Sequence, residues 1–157
     1  MRIALYQPDI PQKTGAIFRL AACVGVPVDV IEPCGFVLDD PRLRRVAMDY
    51  GTKAKINRHA SWKDWNNGHN SGRIILLTTR GSLSYSAFSF DVSDTLLLGR
   101  ESAGVPPNVH RIADARLHIP MVSGARSLNV VTAAAIVIGE ALRQTGAFHL
   151  KTVCEEV

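Results

Sequence analysis

Three short stretches of this chain combine residue types that could bind and orient a small reactive ligand: Leu77–Gly81 (LTTRG), Gly99–Pro106 (GRESAGVP) and Ile119–Leu128 (IPMVSGARSL). Gly99 and Gly104 carry no Cβ, so bare amide groups can approach a ligand closely. Glu101 lies between them, beside Arg100. Ser127 or Asn129 can cap the helix that follows and leave its first N–H groups free for an oxygen-bearing ligand. Each feature also has a plain structural reading, as a turn, a cap or core packing, so their weight is joint. The remaining reactive residue types exclude other chemistry. Five histidines show no HxxxH or HExxH pairing, and Cys23, Cys34 and Cys154 form no CxxC pair. Neither a metal site nor a disulfide framework is expected, and the odd cysteine count fits a reducing compartment.

These loops need buried strands to hold them. Arg73–Thr78 (RIILLT), Thr95–Leu98 (TLLL) and Ala115–Ile119 (ARLHI) are short, nearly continuous apolar runs. That is the pattern of strands covered on both faces in a parallel sheet. In open parallel sheets ligands bind outside the carboxyl ends of the strands, which is where all three loops fall.

Upstream, Arg2–Tyr6 and Val28–Ile31 read as strands, and an edge strand is expected around Ala54–Asn57. From Thr14 to Val24, the spacing of Ile17, Leu20, Ala21 and Val24 predicts an amphipathic helix that Gly25 ends. Asp40 and Pro41 suit the start of a helix over Pro41–Met48. Trp62–Trp65 reads as a helical turn and Asn66–Gly72 (NNGHNSG) as a loop. Ser127 is expected to open a long last helix, Leu128 to about Gln144, with Ala133–Ala135 at its centre and Gly146 beyond its end. Strand and helix alternate throughout the 157 residues, giving one α/β domain with a mainly parallel sheet flanked by helices.

Net charge is +4, a mild basic excess compatible with a polyanionic partner. No apolar run approaches the roughly 20 residues of a membrane span. Asp9, Lys13 and Arg19, with Pro8 and Pro11, interrupt the first twenty residues, which points away from export and towards the cytoplasm. A Rossmann-type nucleotide domain is disfavoured because the turn after the first strand, YQPDIPQKTG, lacks GxGxxG.

Taken in order, LLLGRESAGVP and IPMVSGARSLNVVTAAAIV resemble the second and third motifs of the SpoU branch of the SPOUT RNA methyltransferases. PQKTGAIFR, residues Pro11–Arg19, resembles the first motif, and IEPCGFVLDDPRLRRVAMDY extends the match. Within the family the resemblance is to minimal members that methylate the ribose 2′-oxygen of the tRNA wobble nucleotide, cytidine or modified uridine. It implies a C-terminal trefoil knot from about Leu76 to 150. It also implies S-adenosylmethionine as cofactor, with no metal, held at Leu77, Gly99, Gly104, Ile119, Met121, Ser127 and Leu128. A homodimer through helices 14–24 and 128–144 is implied as well. Two positions depart from the pattern: Lys13 stands where the first motif usually has Asn, and Gly139 where some wobble enzymes have Tyr.

The resemblance gives the catalytic role to Arg19, which lies off the core stripe of its helix. Either Arg19 accepts the 2′-OH proton with help from an RNA phosphate, or it anchors that phosphate and the phosphate takes the proton. Lys13, Arg100, Arg126 and Asn129 are the expected RNA contacts. The basic stretch Arg42, Arg44, Arg45, Lys53, Lys55 and Arg58 offers further phosphate partners. The rival readings are 2′-O-methylation of another tRNA or rRNA site, and a non-catalytic RNA-binding protein that kept the fold.

Overall fold

Aliphatic runs separated by helical segments build a sheet that is parallel at every pairing. The computed structural model describes residues 1–48, 50–69 and 72–148. Strands β1 (Arg2–Tyr6), β2 (Val28–Ile31) and β3 (Ile56–His59) alternate with helices α1 (Pro11–Val24), α2 (Pro41–Ala47) and the short α3 (Tyr50–Lys53). Helix α4 (Trp62–Gly68) leads to β4 (Ile74–Leu77), then to the two-residue β5 (Leu83–Ser84) and a 3₁₀ turn over Tyr85–Ala87. Strand β6 (Thr95–Leu98), α5 (Pro107–Ile112), β7 (Ala115–His118) and α6 (Val130–Thr145) complete the described elements.

The strand order is β3-β2-β1-β6-β4-β7-β5. Leu98 pairs with both Leu5 and Leu77, and Leu77 pairs with Leu117, so β1, β6, β4 and β7 end level with one another. Strand β7 is inserted between two strands that precede it in the chain. The segment leaving β4 must therefore pass across the end of β7 to reach β5. It does so at Gly81, where a Cβ would lie 2.3 Å from the carbonyl carbon of Leu117. Thr78 and Ser82 donate to the carbonyls of Leu117 and Arg116 on either side of that crossing. On the far side, Gln144 of α6 pins the returning chain by accepting from the Phe90 N–H and donating to the Phe88 carbonyl.

Side chains alternate across the sheet into two apolar layers. Ile3, Leu5, Val28, Val30, Leu96 and Leu98 meet α1, α2 and α6, while Ala4, Tyr6, Ile31, Leu76 and Leu97 meet Trp65 of α4 and Val109 of α5. Each large aliphatic side chain removed fully from water contributes about 1.5–3 kcal/mol, which is why runs apolar on both faces settle in the centre of the sheet.

Several element boundaries differ from the sequence reading. Helix α1 begins at Pro11, since proline suits a first helical turn, and its buried stripe is Thr14, Ile17, Phe18 and Ala21. Leu20 and Val24 are only partly covered. Gly25 and Gly146 end α1 and α6 in the left-handed conformation, as expected. Helix α6 starts two residues later than Leu128, because Asn129, not Ser127, accepts from the Val131 N–H as its cap. The edge strand is shifted to Ile56–His59. Asn66–Gly68 continue α4 instead of forming a loop, with Ser61 capping that helix through the Asp64 N–H. Asn70 and Ser71 of that stretch, Cys154, and residues 149 and 150 of the expected knot region lie outside the described residues.

One buried charge ties the layers together. Asp29, fully buried in β2, accepts from Arg2 of β1 at 2.8 Å, Asn57 of β3 at 2.9 Å and the Trp65 indole of α4 at 3.0 Å. Burial opposes its charge, and the bonds from Asn57, Trp65 and Arg2 outweigh that opposition, so its carboxyl lies below the ordinary aspartate value. The stabilisation is present above that ordinary value and is lost as pH falls. Asp29→Ala leaves these donors without their acceptor and is expected to cost about 3–5 kcal/mol in urea denaturation.

Candidate functional site

Because four strands end level, the loops leaving β4, β6 and β7 converge on one cavity of about 720 Å³. Its apolar wall includes Leu76, Leu77, Leu98, Ile119, Met121 and Leu128. The β6 loop is closed on itself, Arg100 N–H to the Gly104 carbonyl at 3.0 Å and Gly104 N–H to the Arg100 carbonyl at 2.9 Å. Such closure brings Gly99 against Gly104 so tightly that a Cβ on Gly99 would lie 2.7 Å from the Gly104 carbonyl carbon. Only glycine fits there.

The structure gathers most of the residues singled out from the sequence. Leu77, Gly99, Gly104, Ile119, Met121, Ser127 and Leu128 all line this cavity, together with Lys13 and Arg100. Arg126 and Asn129 do not line it, although both belong to the loop that does. Arg19 is also absent from the wall. It is exposed on α1, with its guanidinium 5.5 Å from the Tyr50 ring centroid and one nitrogen 3.4 Å from the Met48 sulfur. The basic stretch is less free than its sequence suggests. Arg42 pairs with Asp40, Arg44 with Asp39 and Arg58 with Glu32, the last brought in from β2's end by strand pairing. Among the described residues no group of three or more His, Cys, Asp or Glu could hold a metal ion, and no helix is long and apolar enough to cross a membrane.

With this geometry in view, comparison with known proteins is decisive. The SpoU rRNA Methylase family model matches residues 1–139. The chain belongs to the SpoU rRNA methylase family. It is 50% identical over 151 residues to a tRNA (cytidine(34)-2′-O)-methyltransferase of Ancylobacter novellus, covering 94% of this chain and 95% of that one. It is 39% identical over 148 residues to the protein of the same name from Escherichia coli K12, covering 93% and 94%. A solved structure described as "Structural insights into the 2-OH methylation of C/U34 on tRNA" superimposes with a TM-score of 0.88 at 36% identity, covering 91% of this chain and 94% of that one. The AdoMet-bound rRNA methyltransferase from Sinorhizobium meliloti gives 0.83 at 26% identity, covering 90% of this chain and 55% of that one.

Several residues of this SpoU-family site carry no signal in the sequence pattern. Asp9, in the β1–α1 loop, accepts from the Glu101 N–H at 3.2 Å, the Ser102 N–H at 3.3 Å and the Ser102 hydroxyl. It thereby fixes the β6 loop from 92 positions away, a distance at which no local spacing can announce a partner. Gln7 adopts φ 46, uncommon for a residue with a side chain, and accepts from Arg100. His118 reaches the cavity with its Nδ1 buried and without a hydrogen bond among the described residues.

Among the described residues, Glu101 is the acid on this cavity's wall. Burial, then its hydrogen bond to Asp9, push its carboxyl up to about 7, while that same bond and Ser102 hold Asp9 down at about 2. The pair therefore carries one proton and one negative charge over the acidic range. A carboxyl raised on folding costs stability as pH rises past its ordinary value of 4.5 towards 7, because the unfolded chain ionises it more readily. Glu101→Gln imitates the protonated form. Its melting temperature should match the wild type near pH 4, exceed it by a margin that grows to about pH 7 and level off above that, measured by calorimetry from pH 4 to 8.

Proposed function

We propose that this chain transfers the methyl group of S-adenosylmethionine to the ribose 2′-hydroxyl of the tRNA wobble nucleotide, cytidine or modified uridine 34. The observation that carries the reading is the convergence of the β4, β6 and β7 loops on one cavity, in a chain whose family relatives are named for that reaction. In this reading the whole chain is a single methyltransferase domain working in the cytoplasm. The crossing of Gly81 over β7 supports a C-terminal trefoil knot from Leu76 onward.

The residues present fit the donor. A cavity of about 720 Å³ is of ligand size, its wall mixes aliphatic with polar side chains, and Glu101, the acid on it among the described residues, has its carboxyl pushed up to about 7. When bound, the donor supplies a methyl already activated on a sulfonium, so the transfer itself calls for no metal. Leu77, Ile119, Met121 and Leu128 would exclude water around it. Gly99, Gly104 and Ser127 would offer close backbone and hydroxyl contacts. The aliphatic part of the wall solvates positive charge poorly, which favours a reaction in which that charge disappears.

The acceptor is the harder half, since a ribose hydroxyl is almost fully protonated at neutral pH. The site must align it and help remove its proton. Arg19 is assigned this role by anchoring an RNA phosphate that takes the proton. Guanidinium groups are donors only, which favours anchoring over acceptance of the proton by Arg19 itself. Lys13 and Arg100 hold RNA at the cavity, with Arg126 and the Asn129 amide along the β7 loop.

Since Arg19 is not on its own cavity's wall, we assign it to the cavity of a second copy, in a homodimer formed through α1 and α6. These helices pack beside each other on one face of the sheet. Arg19→Ala should keep donor affinity within about twofold by calorimetry and lose methyl transfer to tRNA by at least about 100-fold. A variant turning over near the wild-type rate would overturn the assignment. Gly99→Val, whose side chain has no room, should lose donor binding. Mixing the two inactive variants should restore part of the activity if the sites are shared between copies.

A further inference from the structure

A second cavity of about 670 Å³ adjoins the first, and the β6 loop is the partition: Arg100, Gly104 and Val105 line both. Its wall carries Arg80, Arg100, Arg111 and His110, with Tyr6 and Gln7 at the β1 end. No carboxylate lines it among the described residues. In contrast to Arg42, Arg44 and Arg58, neither the Arg80 nor the Arg111 side chain has an ion-pair partner among the described residues. Arg100 donates to Gln7, and its buried Nε has no hydrogen-bond acceptor there.

Every polar side chain that the Arg and His residues present to this cavity is a donor. Guanidinium groups have no acceptor. His110 would offer one through Nδ1, but Arg116 occupies that nitrogen by donating from Nε at 3.1 Å, and the same Nε donates to the His110 carbonyl at 2.8 Å. With Nδ1 engaged, the neutral ring carries its proton on Nε2 and can only donate. Arg116 also donates to the Arg111 carbonyl at 3.1 Å, so one half-buried arginine holds both His110 and Arg111. A hollow with several cationic donors and no opposing charge fits an anion rich in acceptors, and planar guanidiniums suit a phosphate in particular.

We propose that this second cavity seats a backbone phosphodiester of the substrate RNA next to the nucleotide being methylated, with Arg80 and Arg111 as its contacts. The proposal rests on the RNA methyltransferase reading above and adds where the neighbouring strand lies. The nucleotide enters the donor cavity on one side of the Gly99–Gly104 loop while its flanking phosphate is held on the other side. Arg80 lies in the Leu77–Gly81 stretch and Arg100 in the β6 loop, whereas Arg111, on the short α5, carries no signal in the motif pattern.

The test is direct binding of an unmodified tRNA transcript to the full chain, by filter retention across a series of salt concentrations, with Arg80→Ala, Arg111→Ala, the double variant and Arg80→Lys. Each alanine variant is expected to weaken RNA binding about tenfold and to lower the slope of log affinity against log salt by about 1. Arg80→Lys should recover part of the affinity. Calorimetric affinity for S-adenosylmethionine should stay within about twofold, and KM for tRNA should rise with kcat nearly unchanged. Wild-type RNA affinity and salt slope in the double variant would overturn the proposal, as would a parallel loss of donor binding, which would mark a structural role. Because the primary readout is RNA binding, it stays informative even if the wild type methylated no tRNA, an outcome that would instead sink the enzymatic reading.

Discussion

The site depends on a backbone constraint: β7 lies between β4 and β5, both of which precede it in the chain. To make that possible the chain must cross the end of β7 at close range, and it does so where Gly81 offers no Cβ to obstruct the Leu117–His118 peptide. The crossing does two things at once. It presses the β4 loop against the β7 loop, forming two walls of the cavity, and it leaves β6 beside β4 so that the third wall is contributed at the same level. The level strand ends follow from register, with Leu98 facing Leu77 and Leu5. No single loop makes the cavity; the sheet order does.

Electrostatics divide the surface around it into two regimes. Acids are spent locally on the basic stretch after Asp40, so that Arg42, Arg44 and Arg58 contribute little net field. Asp9 is spent on the β6 loop, and Glu101 tends to keep its proton. Near the β6 loop, Arg80 and Arg111 have no ion-pair partner among the described residues. The overall charge of +4 does not reveal that the second cavity has arginines and no carboxylate on its wall among the described residues.

Much of the architecture was legible from residue pattern. Strands buried on both faces announce themselves as continuous aliphatic runs, and RIILLT, TLLL and ARLHI became β4, β6 and β7. Glycine marked the ends of α1 and α6 because the left-handed turn there penalises other residues. The three cavity loops were legible because glycine and small polar residues cluster where a backbone must approach a ligand, whereas Leu77, Ile119, Met121 and Leu128 were singled out only through the family resemblance. Legibility stopped where an interaction joins distant positions or a short segment lacks a period. Strand β5 has two residues and α5 six, too few for any periodicity. The links from Asp9 to Glu101 and from Gln7 to Arg100 exist only once β1 and β6 pair. The start of α6 was misplaced because Ser127 and Asn129 are both competent caps, and it is Asn129 that accepts from the Val131 N–H.

The insertion of β7 also bears on how the molecule comes into being. A ribosome delivers β4, β5 and β6 well before β7, so a nascent chain holds an open slot in its sheet that only a later segment can fill. The residues after β7 supply the final wall and then the helix whose Gln144 fastens Phe88 and Phe90. Translation that stalls before this region yields a product with most of its apolar strands made but no ligand-binding hollow. Its exposed β4 margin would be a liability for edge-to-edge association. A chain cut short before β7 thus lacks both the strand that fills this slot and the last wall of the cavity.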